Sequence, residues 1–143
     1  MIVLPASALG GRVLSAGERG LVLALGEALF PPGNPLGVSA ADVDIAGLVD
    51  ELIGDFLDPV AAPVFRYLLR GLDAGTFASR GAAFGALPLA ARREMLDTWA
   101  DNAVLPRRLA YDTFKTVVGM AFFNDARAKA AVGWTVECQG EAA

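Results

Sequence analysis

The chain has 143 residues, 55% of them hydrophobic and 20% charged, with 12 Lys and Arg against 16 Asp and Glu for a formal net charge of -4. That acidity leaves no basic face for nucleic acid, and a single cysteine, Cys138, excludes an internal disulfide, a CxxC redox pair, a c-type haem motif and an iron–sulfur site. The length fits one domain able to bury roughly two-thirds of its surface; a mean hydropathy of +0.46 is high for such a domain, which points either to surface covered by a partner or to Ala and Gly enrichment from a GC-rich genome.

Residues 1–13 read as a small-residue tail without period. Met1 to Leu4 are apolar but have no basic lead, and Pro5, Gly10, Gly11 and Arg12 cut the run short. No signal peptide is expected, twin-arginine or otherwise, which places the chain in the cytoplasm unless a partner's signal exports it. The domain is expected over residues 14–134, followed by a polar tail at 135–143. Charged residues interrupt every apolar segment, so no membrane span is expected.

Ser15-x-x-Glu18 is a capping box that starts a helix, whose stripe of Leu21, Val22, Leu25, Ala28 and Leu29 ends at Phe30-Pro31-Pro32-Gly33. Asp42 or Asp44 caps a second helix. Its face of Ile45, Leu48, Val49, Leu52, Ile53, Phe56 and Leu57 opposes Asp50, Glu51 and Asp55, read as its polar side. Asp58-Pro59 ends that helix and caps a third, carrying Val64, Phe65, Leu68, Leu69 and Leu72 until Gly75 closes it; Thr76 to Gly85 is read as loop.

Pro88 starts a fourth helix, to about Ala100, with Leu89, Met95, Leu96 and Trp99 on one face. Pro106 begins a fifth, to Phe123, and Asn124-Asp125 caps one more turn from Ala126 to Ala131. Only Trp134-Thr135-Val136 suggests strand. The fold class is therefore all-α, a single compact domain of about five or six helices.

The chain contains no histidine, and no stretch assembles a nucleophile, a base and an orienting group at recognisable spacing, so catalysis is not expected here. The acidic run from Asp42 to Asp58 fails the calcium-loop pattern and reads as a helix polar face. No GxGxxG exists to cradle a dinucleotide. Arg92-Arg93 and Arg107-Arg108 read as a solvated face with partners such as Arg93 and Asp97, in preference to a cationic docking patch. Trp99 and Trp134 read as core or interface anchors before flavin- or sugar-stacking groups. Segment 116–123 bears no charge; beside a core stripe of Ala110, Phe114, Val117 and Ala121, Met120 and Phe123 are left over for an interface. With Trp99, Arg108 and Trp134 they make the candidate partner surface, and Phe123→Ala is expected to weaken docking while sparing the fold.

The order Ser15-x-x-Glu18, Leu29-Phe30-Pro31-Pro32, Phe65-Arg66-x-Leu68-Leu69-x-x-Leu72, Phe84-x-x-Leu87, Arg92-x-x-x-Leu96-x-x-Trp99, Arg108 through Phe114-Lys115 and Gly133-Trp134 resembles the gluconate 2-dehydrogenase subunit 3 family over roughly residues 14–134. It is similar also to the N-terminal helical region of long-chain fatty alcohol oxidases. The resemblance implies a non-catalytic small subunit, binding no cofactor itself, in a hetero-oligomer with a large glucose-methanol-choline (GMC) type flavoprotein that carries FAD and the catalytic histidine. The lack of a twin-arginine signal departs from many such subunits. Leu96-x-x-Trp99 and Arg108, through the second likeness, imply a lipophilic alcohol over a sugar acid as the partner's substrate. The alternative, from another class, is a free-standing helical binding protein for a lipid or other apolar ligand.

Overall fold

A computed structural model describes residues 13–57 and 59–133. Six α-helices form among the described residues: α1 (Ala16–Leu29), α2 (Ile45–Glu51), α3 (Ala61–Arg80), α4 (Leu89–Ala100), α5 (Leu105–Phe122) and α6 (Ala126–Ala131), with no strand between them. The all-α expectation holds. Expectations on Trp134 to Val136 and on Cys138 lie outside the described residues.

Helix α1 starts where its capping box demands: the Ser15 hydroxyl accepts from the Glu18 N–H at 3.2 Å, and Glu18 Oε1 accepts from the Ser15 N–H at 2.9 Å. It is the hub, touching α2, α3, α4 and α5, and it presents Val22, Leu25 and Ala28 to the core. Phe65, Phe84, Phe114 and Phe122 are fully buried around it. The Phe65 and Phe114 rings meet edge to face at 6.1 Å, joining α3 to α5.

Three helix boundaries differ from expectation. The second helix is not continuous: Asp44 caps α2 through the Gly47 N–H, and after Glu51 the backbone widens into a π-turn, Leu52–Phe56, closed by Leu57 N–H to Leu52 O at 3.1 Å. Pro88 precedes α4 as its cap position instead of opening the helix. Most consequentially, α3 does not stop at Gly75 but runs through the segment read as loop, to Gly81, whose φ of 74° is the left-handed C-cap. Thr76 is fully buried and satisfies its hydroxyl on Leu72 O at 2.7 Å. Gly75 is a packing residue: a Cβ there would lie 3.2 Å from Trp99 Cζ2. Its missing side chain admits the indole and does not end the helix.

Candidate partner interface

Buried charge fixes the faces of the bundle before any surface is left over. Asp50, expected on a polar face, is fully buried: its Oδ1 accepts from the N–H groups of Val13 and Leu14 at 2.8 and 3.2 Å, and its Oδ2 meets Arg19 Nη1 at 2.9 Å. Those two amides precede α1 and have no helical partner, so a buried carboxylate is what ties the start of the domain to α2. Val13 thereby belongs to the body, not to the tail.

Arg92 is likewise no solvated residue. Its guanidinium donates to Ala24 O at 2.7 Å and Leu87 O at 3.1 Å and pairs with Glu27 at 3.3 Å, tying α4 to α1. Arg93 and Asp97 are both exposed and form no ion pair with each other; the pairing across that face is Arg80 with Glu94 at 3.4 Å.

Glu18 lies between α1 and α3. Burial pushes its carboxyl up, but hydrogen bonds from Arg66, Ser15 N–H and the Ser15 side chain, with the Arg66 charge, outweigh that and leave it below the ordinary carboxylate value. Arg66 Nε reaches both Glu18 oxygens at 3.0 Å, and Arg70 Nε stands further off, at 3.8 Å from Oε2. A cleft of about 530 Å³ opens beside them, lined by Ser15, Glu18, Arg70, Asp73 and the small residues Gly17, Gly20 and Gly85. Asp73 is engaged as well, accepting the Phe84 N–H at 3.0 Å. Among the described residues no acidic or Cys cluster suits a metal ion.

The candidate surface residues do not converge. Trp99 is closed into the core at 6% exposure, with Arg107 Cζ 5.7 Å from its ring centre and its Nε1 buried without a protein acceptor. Burial against Gly75 makes it a packing residue of this chain, not an offered anchor. Phe123 is half-buried: its ring stands edge-on to Phe30 at 5.7 Å and Phe122 at 5.1 Å, while Phe30 and Phe122 stack at 4.1 Å. That cluster caps the end of α5 against the end of α1, which removes the ground for expecting Phe123→Ala to spare the fold. Met120 is 50% exposed, beside a hollow of about 280 Å³ lined by Glu51, Leu52, Ala121 and Asn124. Arg108 is exposed near the start of α5; Trp134 lies outside the described residues.

What sequence reading missed is the outer side of α3. Val64, read among the apolar residues of the third helix, is 48% exposed, with Tyr67 at 76% and Phe77 at 64%. Val64, Tyr67, Gly71, Ala74 and Ala78 recur at i, i+3, i+7, i+10 and i+14, all exposed, while Phe65, Leu69, Leu72 and Thr76 on the opposite side are buried. The signal was present as a second apolar period, hidden by the stop read at Gly75. Helix α5 adds exposed Leu105, Leu109 and Met120. Six of the ten large exposed hydrophobics among the described residues lie on these two helices.

No described helix is long and apolar enough to cross a membrane. No curated protein and no solved structure matches the sequence, so the likeness to fatty alcohol oxidases has no match behind it. The family model of gluconate 2-dehydrogenase subunit 3 matches residues 16–136, from the capping-box helix through α6 and beyond, and the chain belongs to that family.

Proposed function

We propose that this chain is the non-catalytic, accessory subunit of a dehydrogenase complex, and that it binds and stabilises a large FAD-dependent GMC-type flavoprotein. Membership in a family named for a dehydrogenase subunit supports the accessory role. A chain without histidine fits one that leaves proton transfer from the alcohol to its partner. The observation that carries the reading is the exposed apolar side of α3, which costs solubility in a lone chain and is accounted for when another chain covers it.

A lipid carrier needs an enclosed apolar cavity. Here the core is filled by four buried phenylalanines, and the cleft beside Glu18 is open to solvent, with Glu18, Arg70 and Asp73 among glycines, alanines and Leu21, so no enclosed apolar cavity supports the alternative. The test is to read the adjoining frames for a GxGxxG flavoprotein and, where one is present, to co-express it with this chain. The expected result is a yellow hetero-oligomer whose large subunit loses FAD or precipitates when this chain is left out. A large subunit that is equally soluble, flavinylated and active alone would overturn the proposal.

A further inference from the structure

The hollow beside Met120 joins an apolar lining to a charge that no described residue of the chain answers. Buried Ala121 and half-buried Leu52 lie deepest in it, Met120 stands beside them at 50% exposure, and exposed Glu51 and Asn124 form its rim. It opens where α2 gives way to the π-turn Leu52–Phe56, whose widened backbone carries the Leu57 N–H to Leu52 O. Turns of that kind recur at functional sites.

Size favours a side chain over a cofactor. At about 280 Å³ the hollow falls below the roughly 300–1,000 Å³ of small-molecule sites. Charge then selects among side chains. Arg19 answers Asp50, Arg66 answers Glu18, Arg92 answers Glu27, and Arg127 turns to Asp125, whereas the Glu51 carboxylate makes no hydrogen bond or ion pair among the described residues. An anionic lipid surface, or a second copy of a chain whose formal net charge is -4, is disfavoured at a carboxylate rim. A side chain with an alkyl stem and a cationic head suits both parts of the hollow: the stem lies along Leu52, Met120 and Ala121, while the head reaches Glu51 and the Asn124 amide oxygen at the edge of solvent.

We infer that this hollow receives one lysine or arginine side chain of the large flavoprotein subunit, its stem against Met120 and its charge on Glu51. This rests on the accessory-subunit reading above and adds the chemistry of one contact. A single side chain covers a small part of the roughly 800 Å² that a stable interface takes from each partner, so the interface extends beyond the hollow.

Two experiments test it, the first on this chain alone. n-Butylammonium, a lysine side chain without its backbone, is titrated against the subunit while the Met120 methyl resonance is followed; n-butanol supplies the same stem without the charge. The ammonium should move that resonance at a concentration roughly threefold to fivefold lower than the alcohol does, and in Glu51→Gln the difference should vanish. Equal responses in wild type, or no response to the ammonium, overturn the inference.

In the second, affinity for the co-expressed flavoprotein is read beside the subunit's own melting temperature. Glu51 is exposed and bonds to no other described side chain, so Glu51→Lys and Glu51→Gln should melt as wild type does. Docking should weaken by roughly tenfold or more in Glu51→Lys, and by less in Glu51→Gln, with a flatter salt dependence. If wild type and Glu51→Lys bind the flavoprotein equally, the seat is elsewhere and only this inference falls. If wild type binds no flavoprotein, the accessory reading falls and takes the inference with it. A wild-type dimer that Glu51→Lys splits into monomers would assign the hollow to a second copy and overturn the inference.

Discussion

The inner and outer sides of α3 carry the same apolar period in opposite surroundings, one in the core and one in solvent. Inside, Phe65, Leu69, Leu72 and Thr76 are spaced by 4, 3 and 4 residues and are buried to the last atom; outside, Val64, Tyr67, Gly71, Ala74 and Ala78 repeat by 3, 4, 3 and 4 and stand in solvent. The period is alike because both follow the helical turn. The difference lies in side-chain size. Inside, Phe65, Leu69 and Leu72 fill fixed space, whereas outside Gly71, Ala74 and Ala78 leave the helix surface low beside exposed Val64 and Tyr67. Apolar periodicity therefore marks a face of a helix, but not whether the chain's own core covers it.

Mutations can sharpen that contrast. The largest effect is expected from Phe65→Ala, which opens a cavity against Phe114 and should cost about 3–5 kcal/mol in urea unfolding; a cost under 1 kcal/mol would mean the inner side is not core. Next is Phe123→Ala. Its half-buried ring closes the Phe30–Phe122 stack, so a loss of about 2 kcal/mol is expected, and an unchanged urea midpoint would return Phe123 to the partner surface.

Smaller still is the effect of Glu18→Gln, which disturbs the capping box, a device worth about 1 kcal/mol, and removes a charge from the contact with Arg66. Its signature is in pH. The folded-state value of Glu18 lies below the unfolded one, so its stabilisation is present above the ordinary carboxylate value and is lost as pH falls through the depressed value. Wild type and variant should therefore converge in acid unfolding titrations and separate toward neutrality; a constant gap at all pH values would discount the Arg66 pairing. The smallest change is on the outer side: Gly71→Ala should raise stability by about 0.5–1 kcal/mol, since the added methyl meets nothing and the unfolded chain has less entropy to lose. A loss of stability there would show that the outer side is already covered within the chain.

Much of the fold was legible because its signals are local. Ser15 with Glu18, Asp44 with Gly47 and Asp125 with Arg127 each satisfy a helix start within three residues, so three helix origins could be read from short windows. The Ala110, Phe114, Val117 and Ala121 stripe of α5 was readable for the same reason and is buried as expected. The family resemblance too is carried by the order of such elements, and it holds over residues 16–136.

The rest was decided by groups far apart in the chain. Val13 and Asp50, Glu18 and Arg66, and Ala24 and Arg92 are separated by 37, 48 and 68 residues, and nothing in a window around Asp50 or Arg92 tells a buried, satisfied charge from a solvated one. Gly75 reads as a helix stop until Trp99 is seen to need its empty Cβ position. Phe123 reads as spare until Phe30 arrives from α1. The sequence by itself determined where helices begin and the class of fold they make, because capping and periodicity act within a few residues. Which faces close on each other, and so which side of α3 remains exposed, depends on packing between segments distant in sequence, and only the tertiary structure decided it.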